Sequence, residues 1–211
     1  MMSGSAPEPS QLTPDQALDL LREGNRRYRA GSPIQPEAIS PEQRLALAKA
    51  QQPFCVLVGC SDSRVPPELL FGRGLGELFI VRNAGNVVDL AAMGSIEYGV
   101  LVLGVPLIVV LGHERCGAVK AALDVVENDT IYPGSIGQMI EPIIPAVLQA
   151  SRPGVTEGDD LLDRSVRANV RRIVQRLRTT EQMLIEPQRE GRLKIVGARY
   201  DLDDGNVEFF D

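Results

Sequence analysis

The sequence predicts an α/β fold: a mostly parallel central sheet with helices on both faces and an antiparallel strand at its C-terminal edge. Three observations carry this. Short apolar runs rich in β-branched residues recur at Phe54–Cys60, Leu78–Val81 and Leu107–Leu111, as strands buried on both faces do. Segments of helical character are interleaved with them, and strands alternating with helices pair in parallel through crossovers. Asp204-Gly205 between Leu193–Val196 and Val207–Phe210 is a hairpin signal, which adds the antiparallel edge.

Each helix has its own signature. Thr13 followed by Pro14 and Gln16 starts a helix, with a capping hydroxyl and Pro at the first position; it is predicted to run to Ala30 and stop at Gly31. Ser40-Pro41-Glu42-Gln43 repeats the pattern for a helix ending near Ala50. Asp89 opens an apolar stretch through Ile96 to Leu103, and Ile136 to Ala150 is helical but bent by Pro142 and Pro145. After a Gly/Pro loop over 151–160, Leu161 to Glu186 reads as one long polar helix with apolar spacing at Val166, Val170, Ile173, Val174 and Leu177. Gly72-Arg-Gly74-Leu-Gly76 precedes a strand instead of opening a helix after one, so it is a turn and not a nucleotide loop. Residues 1–12 are expected to be a flexible N-terminal tail and 13–211 a single α/β domain.

Composition narrows the function. At 44% hydrophobic and 24% charged residues the chain is an ordinary globular protein, neither disordered nor fibrous. Three cysteines exclude a disulfide scaffold and fit a reducing compartment. A net charge of −6 argues against nucleic acid or anionic membrane as partners. Arg164, Arg167, Arg171, Arg172, Arg176 and Arg178 are therefore expected to form a solvated or subunit-facing surface. Met1–Ser10 has neither a basic start nor an apolar run, so no secretory signal is expected. Val100–Gly112, interrupted by Gly104 and Pro106, falls short of the roughly 20 residues a bilayer requires. The expected location is the cytoplasm.

Chemistry concentrates at two strand ends. One run ends in Gly59-Cys60-Ser61-Asp62-Ser63-Arg64-Val65, another in Gly112-His113-Glu114-Arg115-Cys116-Gly117. Ligands of open α/β sheets bind beyond the carboxyl ends of strands. If these two strands are neighbours, Cys60, Cys116 and His113, the sole histidine, meet there. Two thiolates and an imidazole are a ligand set zinc prefers, and three protein ligands leave a catalytic position open. Asp62 and Arg64 can point into the same space, where a bidentate Arg would orient and acidify the carboxylate. The ionised Asp62 could accept a hydrogen bond from a metal-bound water, or alternatively move onto the metal and shut the site. Cys55, five residues before Cys60, faces the other side of its strand and is read as a core thiol.

Cys60-Ser-Asp-Ser-Arg-Val65, Arg82-Asn83-Ala84-Gly85-Asn86, Gly112-His-x-x-Cys-Gly117 and Gly197-Ala-Arg-Tyr-Asp-Leu202 together are similar to the motifs of the β-class carbonic anhydrases, from about Thr13 to the end. The resemblance implies a Zn2+ cofactor on Cys60, His113 and Cys116, with Asp62 and Arg64 as a catalytic dyad. It implies reversible hydration of carbon dioxide to bicarbonate and a proton by zinc-bound hydroxide. The pocket resembles plant-type members: Gln51 lies nine residues before Cys60, Phe79 just before the Arg-Asn motif, and Tyr98 fifteen residues before His113. Gly117, closing the His-x-x-Cys-Gly motif, joins that pocket by the same resemblance. In the family such residues line an apolar slot at a dimer interface, partly from the partner subunit, so a homodimer or higher oligomer is implied. A bicarbonate-inhibited branch has a tryptophan where this chain has Leu57, so that regulation is not expected. The alternatives are a carbonyl sulfide or carbon disulfide hydrolase on the same scaffold, or a non-catalytic zinc-stabilised regulatory protein.

Overall fold

A computed structural model describes residues 12–32, 34–155, 160–179 and 181–210. Expectations for the N-terminal tail, apart from Leu12, lie outside the described residues, as does part of the 151–160 loop. The elements are α1 (Pro14–Arg29), α2 (Pro41–Ala46), β1 (Cys55–Cys60), α3 (Pro67–Leu70), β2 (Leu78–Asn83), α4 (Leu90–Leu101), β3 (Leu107–His113), α5 (Gly117–Asn128), α6 (Ser135–Ile140), α7 (Ile144–Ala150), α8 (Leu161–Thr179), α9 (Gln182–Arg189), β4 (Lys194–Tyr200) and β5 (Val207–Phe210). Among the described residues the five strands form one sheet in the order β2-β1-β3-β4-β5. The first four are parallel, and β5 pairs antiparallel with β4 at the edge, as expected.

Alternation along the strands separates two cores. Val56, Val58, Ile108, Val110 and Ile195 pack with α4, α8 and α9. Cys55, Leu57, Leu107, Val109, Leu111 and Val196 face the other way, onto α1 and α3. Complete burial of β1 and β3 explains their unbroken apolar runs. On the second face α1 comes close enough that a Cβ on Gly24 would meet the Phe71 carbonyl oxygen at 1.8 Å, so only glycine fits there.

Helix starts follow the predicted caps. Thr13 accepts from Gln16 N–H while the Gln16 side chain returns the bond, a full capping box before Pro14. Ser40 and Asp89 cap α2 and α4. The bend between α6 and α7 runs through a 3-10 turn at Glu141–Ile143, beside Pro142 and Pro145.

Three expectations need correction. The helix from Ser40 ends at Ala46, not near Ala50, because it buries no residue and tertiary packing does not extend it. Leu161–Glu186 is two helices: α8 ends at Thr179, whose hydroxyl bonds back to the Gln175 carbonyl, and α9 starts anew after Glu181. Several α8 arginines are not a solvated stripe. Arg167 pairs with Asp163 and Glu208, Arg176 reaches the Val88 carbonyl, and Arg178 reaches the Ile195 carbonyl. They fasten α8 to its neighbours. α5 went unpredicted, although its buried Val119 and Ala122 repeat at helical spacing.

The topology creates the crevice. From β1 the chain goes outward to β2, then crosses back so that β3 lies on the other side of β1. Connections leaving β1 and β3 therefore diverge, and the carboxyl ends of these neighbours enclose a switch-point cleft. Cys60 is the last residue of β1 and His113 the last of β3.

Candidate metal centre

Cys60 and His113 arrive on the two central strands, and Cys116 stands at the N-terminal cap of α5. Among the described residues, one ligand atom from each lies within 4.8 Å of the other two. The two sulfurs are 4.0 Å apart. All three side chains are buried, His113 completely. The cysteines are free thiols, so this proximity is not a disulfide.

The site's electrostatics favour anionic sulfur. Cys60 is pulled well below the ordinary thiol range because the Cys116 thiol donates to it, with help from the Gly85 N–H, against the opposing effect of burial. Cys116 is pushed up by that same bond to Cys60, by burial and by the neighbouring charge. One proton of the pair leaves easily and the second resists without a nearby cation. Cys55 is fully buried on the opposite core, and burial pushes its thiol far up, as befits filling.

Backbone geometry tunes the ligands. Gly85 sits at φ +70, and a Cβ there would meet Ile143 at 2.7 Å and Ala118 at 2.9 Å. Its N–H thereby reaches Cys60 Sγ at 3.3 Å. Arg82 ties the loop after β1, donating to the carbonyls of Cys60 and Asp62, each at 2.8 Å. His113 Nδ1 lies 2.9 Å from the Glu114 carbonyl, which only accepts, so Nδ1 carries the proton. Nε2 is then bare, buried and without a hydrogen-bond partner. Reasoning from the sequence assigned no role to Arg82, Gly85 or Glu114. The Arg-Asn-Ala-Gly-Asn motif held the first two in plain sight, whereas the Glu114 contact is a backbone bond with no signature in residue type.

Asp62 and Arg64 form the expected pair. Arg64 Nη2 and Nε bond the two carboxylate oxygens at 2.8 and 3.0 Å. This holds the Asp62 carboxyl well below the usual carboxylate range. Asp62 Oδ2 is 3.9 Å from His113 Nε2, at the edge of the ligand group but not within it.

The predicted pocket residues divide. Gly117 begins α5 beside Cys116, with open space around it. Phe79 and Tyr98 stack loosely, ring centroids 6.2 Å apart. Phe79 is in register with Val56, roughly 13 Å along β1 from Cys60 at strand rise. Gln51 is exposed on the approach to the opposite end of β1. The three are thus not gathered around the metal group of their own chain.

A second acidic group, Glu114, Asp201 and Asp203, is occupied by protein partners. Arg115 and Arg199 pair with it, and backbone N–H groups of Leu202, Asp203 and Asp204 donate to it.

The carbonic anhydrase family profile matches residues 55–207, from the start of β1 to the first residue of β5, and so spans both strand ends. The chain belongs to the β-carbonic anhydrases. This carbonic anhydrase is 43% identical over 194 residues to carbonic anhydrase 2 of Mycobacterium tuberculosis, covering 92% of this chain and 91% of that protein. It is 42% identical over 195 residues to the carbonic anhydrase of Mycolicibacterium smegmatis, covering 92% of each. Its fold is similar to a tetrameric β-carbonic anhydrase of Sordaria macrospora, with TM-score 0.73, 27% identity and coverage of 81% and 87% of the two chains. No helix among the described residues of this carbonic anhydrase is long and apolar enough to cross a membrane.

Proposed function

We propose that this carbonic anhydrase interconverts carbon dioxide and bicarbonate, CO2 + H2O ⇌ HCO3⁻ + H⁺, with zinc held by Cys60, His113 and Cys116. The observation that carries the reading is the bare, buried Nε2 of His113 facing two sulfurs 4.0 Å apart. Tetrahedral zinc with Zn–S of about 2.3 Å separates two thiolates by roughly 3.8 Å. The donors fit the ion with little movement, and a cation there would relieve the charge opposing deprotonation of Cys116. When bound, zinc lowers the pKa of a water molecule and makes a hydroxide nucleophile available near neutral pH.

The chain's residues supply the rest. Asp62, held ionised by Arg64, presents an acceptor at the His113 end of the site. An ionised carboxylate accepts a hydrogen bond from water or hydroxyl and so directs the oxygen's remaining lone pairs. Arg64 occupies both Asp62 oxygens, which favours an orienting role over ligation of the metal. CO2 is small and apolar, so its slot needs dry walls and one donor, roles suited to Phe79, Tyr98 and Gln51 alongside Gly117.

Those three lie away from the chain's own metal group, which supports a site completed by a partner subunit. Tyr98 of α4 is exposed and meets Phe79 of β2, an edge strand of the sheet, and Leu101 at the end of α4 and Val102 just after it are exposed apolar side chains as well. An apolar helix face next to an unpaired strand edge is a surface built for association, so the assembly is a homodimer or a larger oligomer. The free buried thiols support a reducing, cytoplasmic setting.

The test is stopped-flow CO2 hydration on protein with its zinc content measured, with carbonyl sulfide hydrolysis assayed in parallel. The expected result is one zinc per chain and CO2 turnover that rises toward alkaline pH. Zinc-loaded protein that hydrolyses carbonyl sulfide but does not hydrate CO2 would overturn this reading.

A further inference from the structure

We infer that Glu114 is a positioning residue for His113, its carboxylate locking the one peptide whose carbonyl orients the imidazole. The inference rests on the zinc reading above and concerns how the site retains its ion.

Residue 114 is tied at three points. Its carbonyl receives His113 Nδ1 at 2.9 Å. Its N–H donates to the Tyr200 carbonyl at 2.9 Å, extending the β3–β4 ladder by one residue. Its carboxylate then reaches past the end of β4 and accepts the Leu202 N–H at 3.1 Å. With N–H and side chain both fixed to the same neighbouring segment, the Cα of residue 114 is held, and Arg115 is held in turn by its guanidinium on Asp203, so the 114–115 peptide that carries the carbonyl lies between two anchored residues. The carbonyl is left aimed at the ring.

The carboxylate is itself held. Arg199 Nη2 stands 4.0 Å from it, and the Arg199 side chain is anchored by Asp163 of α8 at 2.5 Å and Asp201 at 3.0 Å. The following residue continues the pattern. Arg115 adopts φ +51, a left-handed conformation unfavourable for a side-chain-bearing residue. Its guanidinium is forked onto Asp203 at 2.6 and 3.1 Å, and its carbonyl turns toward Arg64 Nη2 at 3.5 Å. Two successive carbonyls thus serve the site while their two side chains grip the turn of the C-terminal hairpin. Ring nitrogens opposite a metal bond are commonly held this way, and loss of such a partner weakens metal binding by about 10- to 100-fold.

Two groups of variants test it. Glu114→Met keeps the length of the side chain and Glu114→Ala removes it, both losing the acceptor; Glu114→Gln retains an oxygen for the Leu202 N–H. Zinc-loaded parent and variants are mixed with excess chromogenic chelator and zinc transfer is timed, with circular dichroism as the fold control. Release on the order of 10- to 100-fold faster is expected in Glu114→Met and Glu114→Ala, with Glu114→Gln within about threefold of the parent. The cobalt-substituted Met variant is expected to show a shifted d–d absorption, which a brace acting on the hairpin alone would not produce. A folded Met or Ala variant releasing zinc at the parental rate overturns the inference, and so does a Gln variant as fast as Met. Failure of both Met and Ala to fold assigns Glu114 to the fold and also overturns it. A parent that binds no zinc instead overturns the zinc reading, and this inference with it.

Discussion

Arg64 grips Asp62 across a single intervening residue, Nη2 on Oδ2 at 2.8 Å and Nε on Oδ1 at 3.0 Å, while its own backbone N–H donates to Oδ1 at 3.0 Å. Three donors on one carboxylate hold it ionised and fix its plane. Asp62 is therefore available as an acceptor and unavailable as an acid. Asp62→Asn is expected to bind zinc with unchanged stoichiometry while CO2 hydration falls by about 100-fold or more. Metal analysis and stopped-flow kinetics on the same preparation decide it; near-parental turnover would remove Asp62 from the mechanism.

The cysteines are expected to separate by face. Cys60→Ala and Cys116→Ala lose a ligand and should hold far less than one metal per chain, as measured by mass spectrometry of the metal. Cys55→Ala should retain the metal, because Cys55 belongs to the opposite core. Its cost is a small cavity, on the order of 1 kcal/mol in thermal or denaturant unfolding. Metal loss in Cys55→Ala would contradict the two-faced arrangement.

Association and activity are expected to fall together. Leu101 is 45% exposed at the C-terminal end of α4, so Leu101→Glu places a charge where a partner covering α4 would have to bury it. Sedimentation should show a smaller species, and CO2 hydration should drop by at least about tenfold if Phe79 and Tyr98 serve a neighbouring site. A dissociated protein that keeps full activity would show that each chain's site is complete.

Acid stability should report on Asp201. Burial opposes its ionisation, but the Asp203 N–H, Arg199 and the Asp204 N–H outweigh that and lower its pKa below the usual carboxylate value. A carboxyl depressed in the folded state stabilises above the unfolded value of about 3.8, and that contribution disappears as pH falls through the folded value. Asp201→Asn should therefore melt lower at pH 7, by roughly 2–4 °C for about 1 kcal/mol. The gap should close below pH 4, and a gap undiminished at pH 3 would mean that ionisation is not the cause.

Proton removal should depend on the medium. The sole histidine is buried in the ligand group, so the chain offers no second imidazole as a shuttle. Under saturating CO2, the hydration rate should rise with buffer concentration before it levels off. A rate indifferent to buffer would require an internal proton carrier.

Much of this protein was legible in its residues. Unbroken apolar runs marked β1 and β3 as strands buried on both sides, and Thr13, Ser40 and Asp89 marked helix starts, because such signals arise from local backbone and burial chemistry. The members of the candidate site were legible for the same reason: Cys60, Asp62, Arg64, His113 and Cys116 are residue types with few other uses in such a pattern, and the fold brings them together. Where α2 stopped, and that 161–186 contained two helices, depended on whether neighbours offered surface to bury, which no local pattern records.

Tertiary structure alone decided that β1 and β3 are neighbours, and with that whether Cys60 and His113 would meet at all. Strand order depends on how crossovers pack helices against the whole sheet, a long-range matter. It also decided that Phe79 and Tyr98 stand well along the sheet from their own metal group, the separation that a pocket shared between two chains requires. The Glu114 carbonyl behind His113 belongs to the same class. A backbone group exists at every residue, so its role comes from where the fold points it and not from which amino acid carries it.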